Sequence, residues 1–317
     1  MVNAHYIKLR ITVLCYVLAL LSCGVEQRHT EDVAEHMQEV AVTGKVIDGY
    51  IANAIVFIDR NKNFLLDEKE TYTRTDTSGS YTIYSTQVDA GFPIVACFDA
   101  ETYDLDPESL LKDAAPFCLS APQPKLNGEA SITKHITPFT TLIHNKMLHE
   151  GISFEYASAL IKESLLLSDN IDINGDYIAA NTAIHSSVHA APSAIPTELQ
   201  KLQFTARIVT KIIQDNTALI ERIYVRDKLS IVEKERLRQD INMDLTNTLH
   251  IISEKVSNLD YSASFTPSDA DDLLMDLTAQ THGSLPAYGY HILNGILYKN
   301  RLQDTVVDQI FEGIYYD

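Results

Sequence analysis

Thr137-Pro138-Phe139-Thr140-Thr141-Leu142-Ile143-His144-Asn145-Lys146-Met147 is the stretch at which the chain changes period. Thr137 carries a side-chain oxygen suited to capping a helix N-terminus. Pro138 suits the first helical turn, where its missing N–H has no partner to lose. Phe139, Leu142, Ile143 and Met147 then recur at helical spacing.

Upstream of this point the pattern has period two. Residues 40–47 (Val-Ala-Val-Thr-Gly-Lys-Val-Ile) alternate and are β-branched, so they read as a strand, and Asp48-Gly49 is a turn signal. Residues 54–58, 80–84 and 91–98 read as further strands, with Asp76-Thr77-Ser78-Gly79 as the turn before 80–84. Residues 100–136 read as irregular, with Pro107, Pro116, Pro122 and Pro124 and one further candidate strand over 126–133. Downstream, helices are expected over 154–167, 197–223, 230–256 and 268–279, with one or two more within 287–312. The expected fold class is α+β in two domains: a small antiparallel β-sandwich over 40–136 and an all-α bundle over 137–317.

The N-terminus reads as an export signal. Lys8 and Arg10 precede an apolar run over 11–21, which is shorter than the ~20 residues a membrane span needs. It ends Leu20-Leu21-Ser22-Cys23-Gly24, which resembles the lipobox of bacterial lipoproteins. That resemblance implies removal of residues 1–22, lipidation of Cys23, and a polar tether over 23–39. Glycine rather than aspartate after the cysteine implies sorting to the outer membrane. The expected location is therefore exported and lipid-anchored to that membrane, on its periplasmic or surface face.

The whole chain carries 25 Lys+Arg against 43 Asp+Glu, a net charge of −18. Loss of residues 1–22 removes Lys8 and Arg10 and no acid, leaving 23 against 43, or −20. Such a chain is no partner for nucleic acid or anionic headgroups, which need basic patches, but it suits a divalent cation. Of four cysteines, Cys15 leaves with the signal and Cys23 is the anchor. Cys97 and Cys118 remain as an even pair in an oxidising compartment, where a disulfide is expected and two buried thiols are the alternative.

One stretch carries cation chemistry. In Asp59-Arg60-Asn61-Lys62-Asn63-Phe64-Leu65-Leu66-Asp67-Glu68-Lys69-Glu70, positions 1, 3, 5, 9 and 12 are Asp59, Asn61, Asn63, Asp67 and Glu70. The seventh, Leu65, offers its carbonyl. A hard Ca²⁺ ion takes six to eight oxygens, and this spacing wraps a chain around one. The loop departs from the EF-hand at position 6, where Phe64 replaces the glycine that makes the sharp turn, and in leaving a strand instead of a helix. It resembles EF-hand-like loops grafted onto β-modules. A solvated hairpin loop rich in Asp and Asn is the competing reading.

The flanking sequence, Val42-Thr-Gly-Lys-Val-Ile-Asp-Gly-Tyr-Ile-Ala-Asn-Ala-Ile-Val-Phe-Ile-Asp59 and Thr75-Asp-Thr-Ser-Gly-Ser-Tyr81, resembles carboxypeptidase-regulatory-like and adhesin B-type β-sandwich modules over roughly residues 40–100. Such modules are spacers, adhesion units or docking domains, which implies a non-enzymatic role. The helical part would then engage an envelope protein or glycan. A hydrolase of extracellular or cell-wall polymers, or an accessory lipoprotein of a secretion or assembly system, are the alternatives. His185 and His189 stand four apart but lack a third ligand, Asp172–Asp176 reads as a turn, and Tyr288 and Tyr290 belong to a C-terminal tyrosine concentration.

Overall fold

A computed structural model of the protein describes residues 39–106, 109, 116–125, 128–187 and 197–258. Cys23, the signal, residues 24–38 of the expected tether, His189, Tyr288, Tyr290 and the helices expected over 268–279 and 287–312 lie outside these residues, while Glu39 opens the first strand.

The described elements run β1 (Glu39–Lys45), β2 (Ile51–Ala52), β3 (Ile55–Ile58), β4 (Tyr72–Arg74), β5 (Ser80–Thr86), α1 (Gln87–Ala90), β6 (Ile94–Phe98), β7 (Tyr103–Asp104), β8 (Phe117–Ala121) and β9 (Ser131–Thr133). Helices α2 (Pro138–Glu150), α3 (Phe154–Ser164), α4 (Tyr177–Ser187), α5 (Glu198–Asp227) and α6 (Ile231–Ser257) follow. The fold class is α+β. The strands form sheets ordered β5-β1-β9, β2-β7 and β4-β3-β6-β8.

Burial explains why the strands differ in composition. β5 alternates buried and exposed along Tyr81, Ile83 and Ser85 against Thr82 and Tyr84, as a sheet with one wet face requires. β3, β6 and β8 are buried almost throughout, and their runs Ile-Val-Phe-Ile and Ile-Val-Ala-Cys-Phe are correspondingly unbroken. Val56, Ile94, Phe117 and Leu119 join the main core, while Phe57 and Val95 face the opposite side and pack with Phe64.

Two expectations about the β part need correction. The pairing is not wholly antiparallel, since β9 lies parallel to β1 with Val42 opposite Ile132. β9 joins β1 only after β2 to β8 have intervened, and parallel neighbours require a long connection of this kind. Gly44 permits this close approach, because a Cβ there would stand 1.8 Å from the Lys134 carbonyl oxygen. Within the described part of 100–136 the chain also forms β7 and β8, which were not expected, and β9, which falls inside the strand expected over 126–133.

The helices begin where the sequence places them. Thr137 caps α2 and exchanges a reciprocal capping box with Thr140, and Thr197–Gln200 and Ser230–Glu233 do the same for α5 and α6. α2 is buried at every position from Pro138 to Lys146, which makes it the central helix. Its Thr140 and Thr141 hydroxyls donate to the Ser120 carbonyl of β8. One hydrophobic cluster runs from Val42 and Ile83 through Phe139 and Leu142 to Val209 and Leu249. The boundary expected between 136 and 137 thus marks a change of secondary structure, and the packing crosses it. α4 is a helix the periodicity did not reveal. Asp176 fixes its start by accepting the Ala179 N–H while also holding Lys45 at 2.9 Å and the Tyr50 hydroxyl at 2.9 Å.

Candidate metal centre

β3 delivers Asp59 and β4 receives the chain after Glu70, so the 59–70 loop is a long hairpin connection. Its base is closed by backbone bonds from Ile58 to Thr71 and from Asp59 to Pro93. Asp59 is fully buried there. One carboxylate oxygen accepts the Asn63 N–H at 3.1 Å and the other the Phe64 N–H at 3.0 Å. Asn61 Oδ1 also accepts the Asn63 N–H, and Asn63 Oδ1 accepts the Leu65 N–H at 2.8 Å. Glu70, 8% exposed, ties the far end by accepting the Arg60 N–H at 2.8 Å and the Asp67 N–H at 3.1 Å. First and last carboxylates therefore hold the loop through its own amides.

The turn placed in doubt by Phe64 is made. Phe64 has φ 59°, in the left-handed region, as does Lys62. For a residue with a Cβ this conformation costs roughly 1–2 kcal/mol, which is why glycine is the usual choice. The ring offsets that cost. It is buried against Phe57 and Val95, lies 5.7 Å from the His144 ring, and receives the Arg238 guanidinium at 3.5 Å from its centroid. Phe64 thus pins the loop to α2 and α6, a role glycine could not fill. Burial pushes the His144 imidazole down to about 3, with Arg238, Lys62 and Lys134 adding to the effect, so this histidine is neutral.

The side chains of Asn61, Asn63 and Asp67 converge. Both amide groups donate to Asp67 Oδ2, at 2.6 and 3.0 Å. The donor set of carboxylates, amides and the Leu65 carbonyl is all hard oxygen, which fits Ca²⁺. The Asn61 and Asn63 amide oxygens are held by the Asn63 and Leu65 N–H groups, which leaves their NH2 groups facing Asp67. Burial pushes the Asp59 carboxyl up, outweighing the Phe64 and Asn63 N–H groups, and Glu70 adds to the push. A cation between these carboxylates would relieve that strain on Asp59. Among the described residues no three His, Cys, Asp or Glu side chains are gathered as a metal-holding group; the side chains that meet in the loop are one carboxylate, Asp67, and the two amides.

Cys97 and Cys118 form a disulfide. They stand directly opposite each other across the antiparallel pair β6–β8, with Cα atoms 4.1 Å apart. Both pack beside the Phe57–Phe64–Val95 cluster, so the covalent link backs the wall on which the loop rests.

A second acidic group was hidden in what reads as a simple turn. Asp48 is 1% exposed, and its Oδ1 has no hydrogen-bond partner. Burial pushes its carboxyl well above the carboxylate range and Asp104 adds to this, while Thr210 and Arg207 pull the other way and Asp106 adds again. Arg207 of α5 binds Asp106 at 2.6 Å, so the cluster clamps α5 to the β2–β7 end of the molecule. No sequence spacing signals it, because Asp48, Asp104 and Arg207 meet only through the tertiary fold. Of the other sequence candidates, 172–176 is indeed a turn, with Asp172 Oδ1 accepting the Asn174 N–H. His185 lies in α4.

Among the described residues no helix is long and apolar enough to cross a membrane. No protein-family model, no curated protein and no solved structure matches this chain.

Proposed function

We propose that this chain is a non-enzymatic envelope lipoprotein. Acylated Cys23 anchors it at the outer membrane, its 59–70 loop binds Ca²⁺, and its β-sandwich carries an all-α bundle that engages an envelope protein. The observation that carries the reading is the hydrogen-bonding of the loop. Asp59 and Glu70 hold its two ends through backbone amides, Phe64 supplies the left-handed turn, and Asn61, Asn63 and Asp67 converge. A solvated turn explains the Asn61 and Asn63 bonds to the amide two residues on, but it does not call for a buried carboxylate at each end of the loop. The −18 net charge supports a divalent-cation partner and opposes an anionic one.

The anchor rests on the 11–23 sequence, and several acyl methylenes at ~0.8 kcal/mol each would hold the protein firmly. Melting the full chain in detergent with Ca²⁺ and with chelator tests the cation. At hundredfold excess over Kd, Ca²⁺ should stabilise by about 2.7 kcal/mol. That gain should vanish in Asp67→Ala, whose site is exposed and so spares the core. An identical melt in calcium and chelator would overturn the reading.

A further inference from the structure

The Asp48-Gly49 turn is pressed against β7. Ile51 pairs with Asp104, and the Leu105 N–H donates to the Tyr50 carbonyl at 3.0 Å. Gly49 is required by this approach, because a Cβ there would stand 2.4 Å from Asp104 Oδ1 and 2.4 Å from the Asp106 Cβ. The Asp104 carboxylate therefore rests on the backbone next to Asp48. α5 brings Arg207 and Thr210 to the same place, and α4 brings Tyr177, whose hydroxyl donates to the Ile47 carbonyl at 3.2 Å. Asp104, Asp106, Arg207 and Tyr177 are thus the titratable groups that face Asp48, with the Ser109 hydroxyl beside Asp104. Asp176, behind Tyr177, is already held by Lys45 and Tyr50.

The charges of this cluster do not cancel. Arg207 binds Asp106 through Nε at 2.7 Å and a terminal nitrogen at 2.6 Å, and among the described residues this one guanidinium faces three carboxylates. Asp104 Oδ1 accepts the Asp106 N–H at 2.9 Å. Asp104 Oδ2 and Asp48 Oδ1 are cut off from solvent and have no hydrogen-bond partner, and the fully buried Thr210 hydroxyl also lacks one. Two ionised carboxylates left unsatisfied near each other and out of water are a costly arrangement. One proton removes both faults, because it supplies the donor that two acceptor oxygens lack and it lowers the buried charge. Burial raises both carboxyls in the direction this requires, and Asp104 adds to the rise at Asp48.

We infer that Asp48 and Asp104 share a single proton, and that this proton is a pH-sensitive latch fastening the first half of α5 to the β2–β7 end of the molecule. With the proton in place, an O–H···O bond joins the turn to β7, and Arg207 clamps Asp106 without competition. When the proton leaves, the two carboxylates repel, and both compete with Asp106 for the guanidinium that ties α5 down. The junction of α5 with β7 is then the place that gives way. The fold holds the proton more tightly than the unfolded chain does. The latch is therefore closed below the pair's raised titration and weakens as pH rises through it. It stands independently of the calcium loop.

The test is hydrogen–deuterium exchange of the full chain in detergent, read by mass spectrometry from about pH 5 to about pH 9 and corrected for the intrinsic exchange rate. Protection over Thr205–Lys211 should fall at least about tenfold more than over Leu249–Val256 of α6, which contributes to the same core. Asp48→Asn keeps the shape and brings a donor, so it should hold α5 protected across the whole range. Asp104→Asn should shrink the fall, because an ionised Asp48 then meets no like charge there. Exchanging choline chloride for sodium chloride should alter nothing. Equal loss of protection in the two wild-type helices, or an undiminished fall in Asp48→Asn, would overturn the latch. An undiminished fall in Asp104→Asn would show Asp48 titrating alone and overturn the sharing. Recovery of alkaline protection by sodium would assign the pair to a cation and overturn the proton. Were Asp48→Asn not to fold, the wild-type and Asp104→Asn arms would still decide.

Discussion

Phe64 joins two opposing terms at one residue: a left-handed backbone that disfavours any side chain, and a ring buried between the sheet and Arg238. The two separate by substitution. Phe64→Ala loses the ring and keeps the backbone cost, and should destabilise by about 3–5 kcal/mol in urea unfolding. Phe64→Gly loses the same ring but relieves the backbone, so it should be about 1 kcal/mol less damaging than alanine. The reverse order would contradict the left-handed turn. Asp48 makes a second test. Burial and Asp104 raise its carboxyl in the folded state, so the fold holds this proton more tightly than the unfolded chain does. Its contribution to stability is therefore most favourable below the ordinary carboxylate value of ~3.9 and declines as pH rises towards the raised value. Asp48→Asn should be more stable than the wild type at neutral pH, with a flatter pH dependence across that window. A variant that is less stable at neutral pH, with the slope unchanged, would show that the carboxylate is ionised and satisfied. Neither role was legible in the sequence. Phe64 reads there as a defect in a calcium loop and Asp48 as half of an Asp-Gly turn, because His144 and Arg238 meet Phe64, and Asp104 and Arg207 meet Asp48, from more than fifty residues away.

At the scale of elements, local chemistry was the more readable part. Thr137-Pro138, Thr197 and Ser230 mark helix starts through capping, which acts within four residues. β1, β3, β5 and β6 announce themselves by alternation or unbroken apolar runs. β4 and β8 do not. β4 is only three residues long, and β8 follows Pro116 in a segment whose prolines suggest irregularity, so their strand character comes from pairing with β3 and β6. α4 has a weak apolar pattern, and Asp176 with its Lys45 and Tyr50 partners holds its start. The disulfide belongs to this scale. Cys97→Ala/Cys118→Ala, or reduction, should cost roughly 3 kcal/mol, since the bond closes a loop of sequence separation 21. Unchanged urea midpoints with and without reductant would show that β6–β8 pairing is self-sufficient. Asp176→Ala should cost about 1–2 kcal/mol through the lost helix start, with faster amide exchange at the beginning of α4; protection unchanged there would refute the role.

Among the described residues, the expected division at 137 coincides with a change of period, and one hydrophobic cluster draws on both sides of it. β1, β5, α2, α5 and α6 contribute to one cluster, and Lys45–Asp176 and Arg207–Asp106 tie strands to helices across it. Urea unfolding should therefore show one transition, with the tertiary aromatic signal and the helical signal moving together. Two separated transitions would restore two domains. The shared core also explains how a β hairpin loop can report to helices: its wall is theirs. The central claim is that this loop holds Ca²⁺. The most direct measurement is a calorimetric titration of the full chain with CaCl₂, repeated on Asp67→Ala and Glu70→Gln. One ion per chain, with the heat abolished or the affinity reduced by at least about tenfold in both variants, is the predicted result. No heat in the wild type, or the same isotherm in all three proteins, would contradict it.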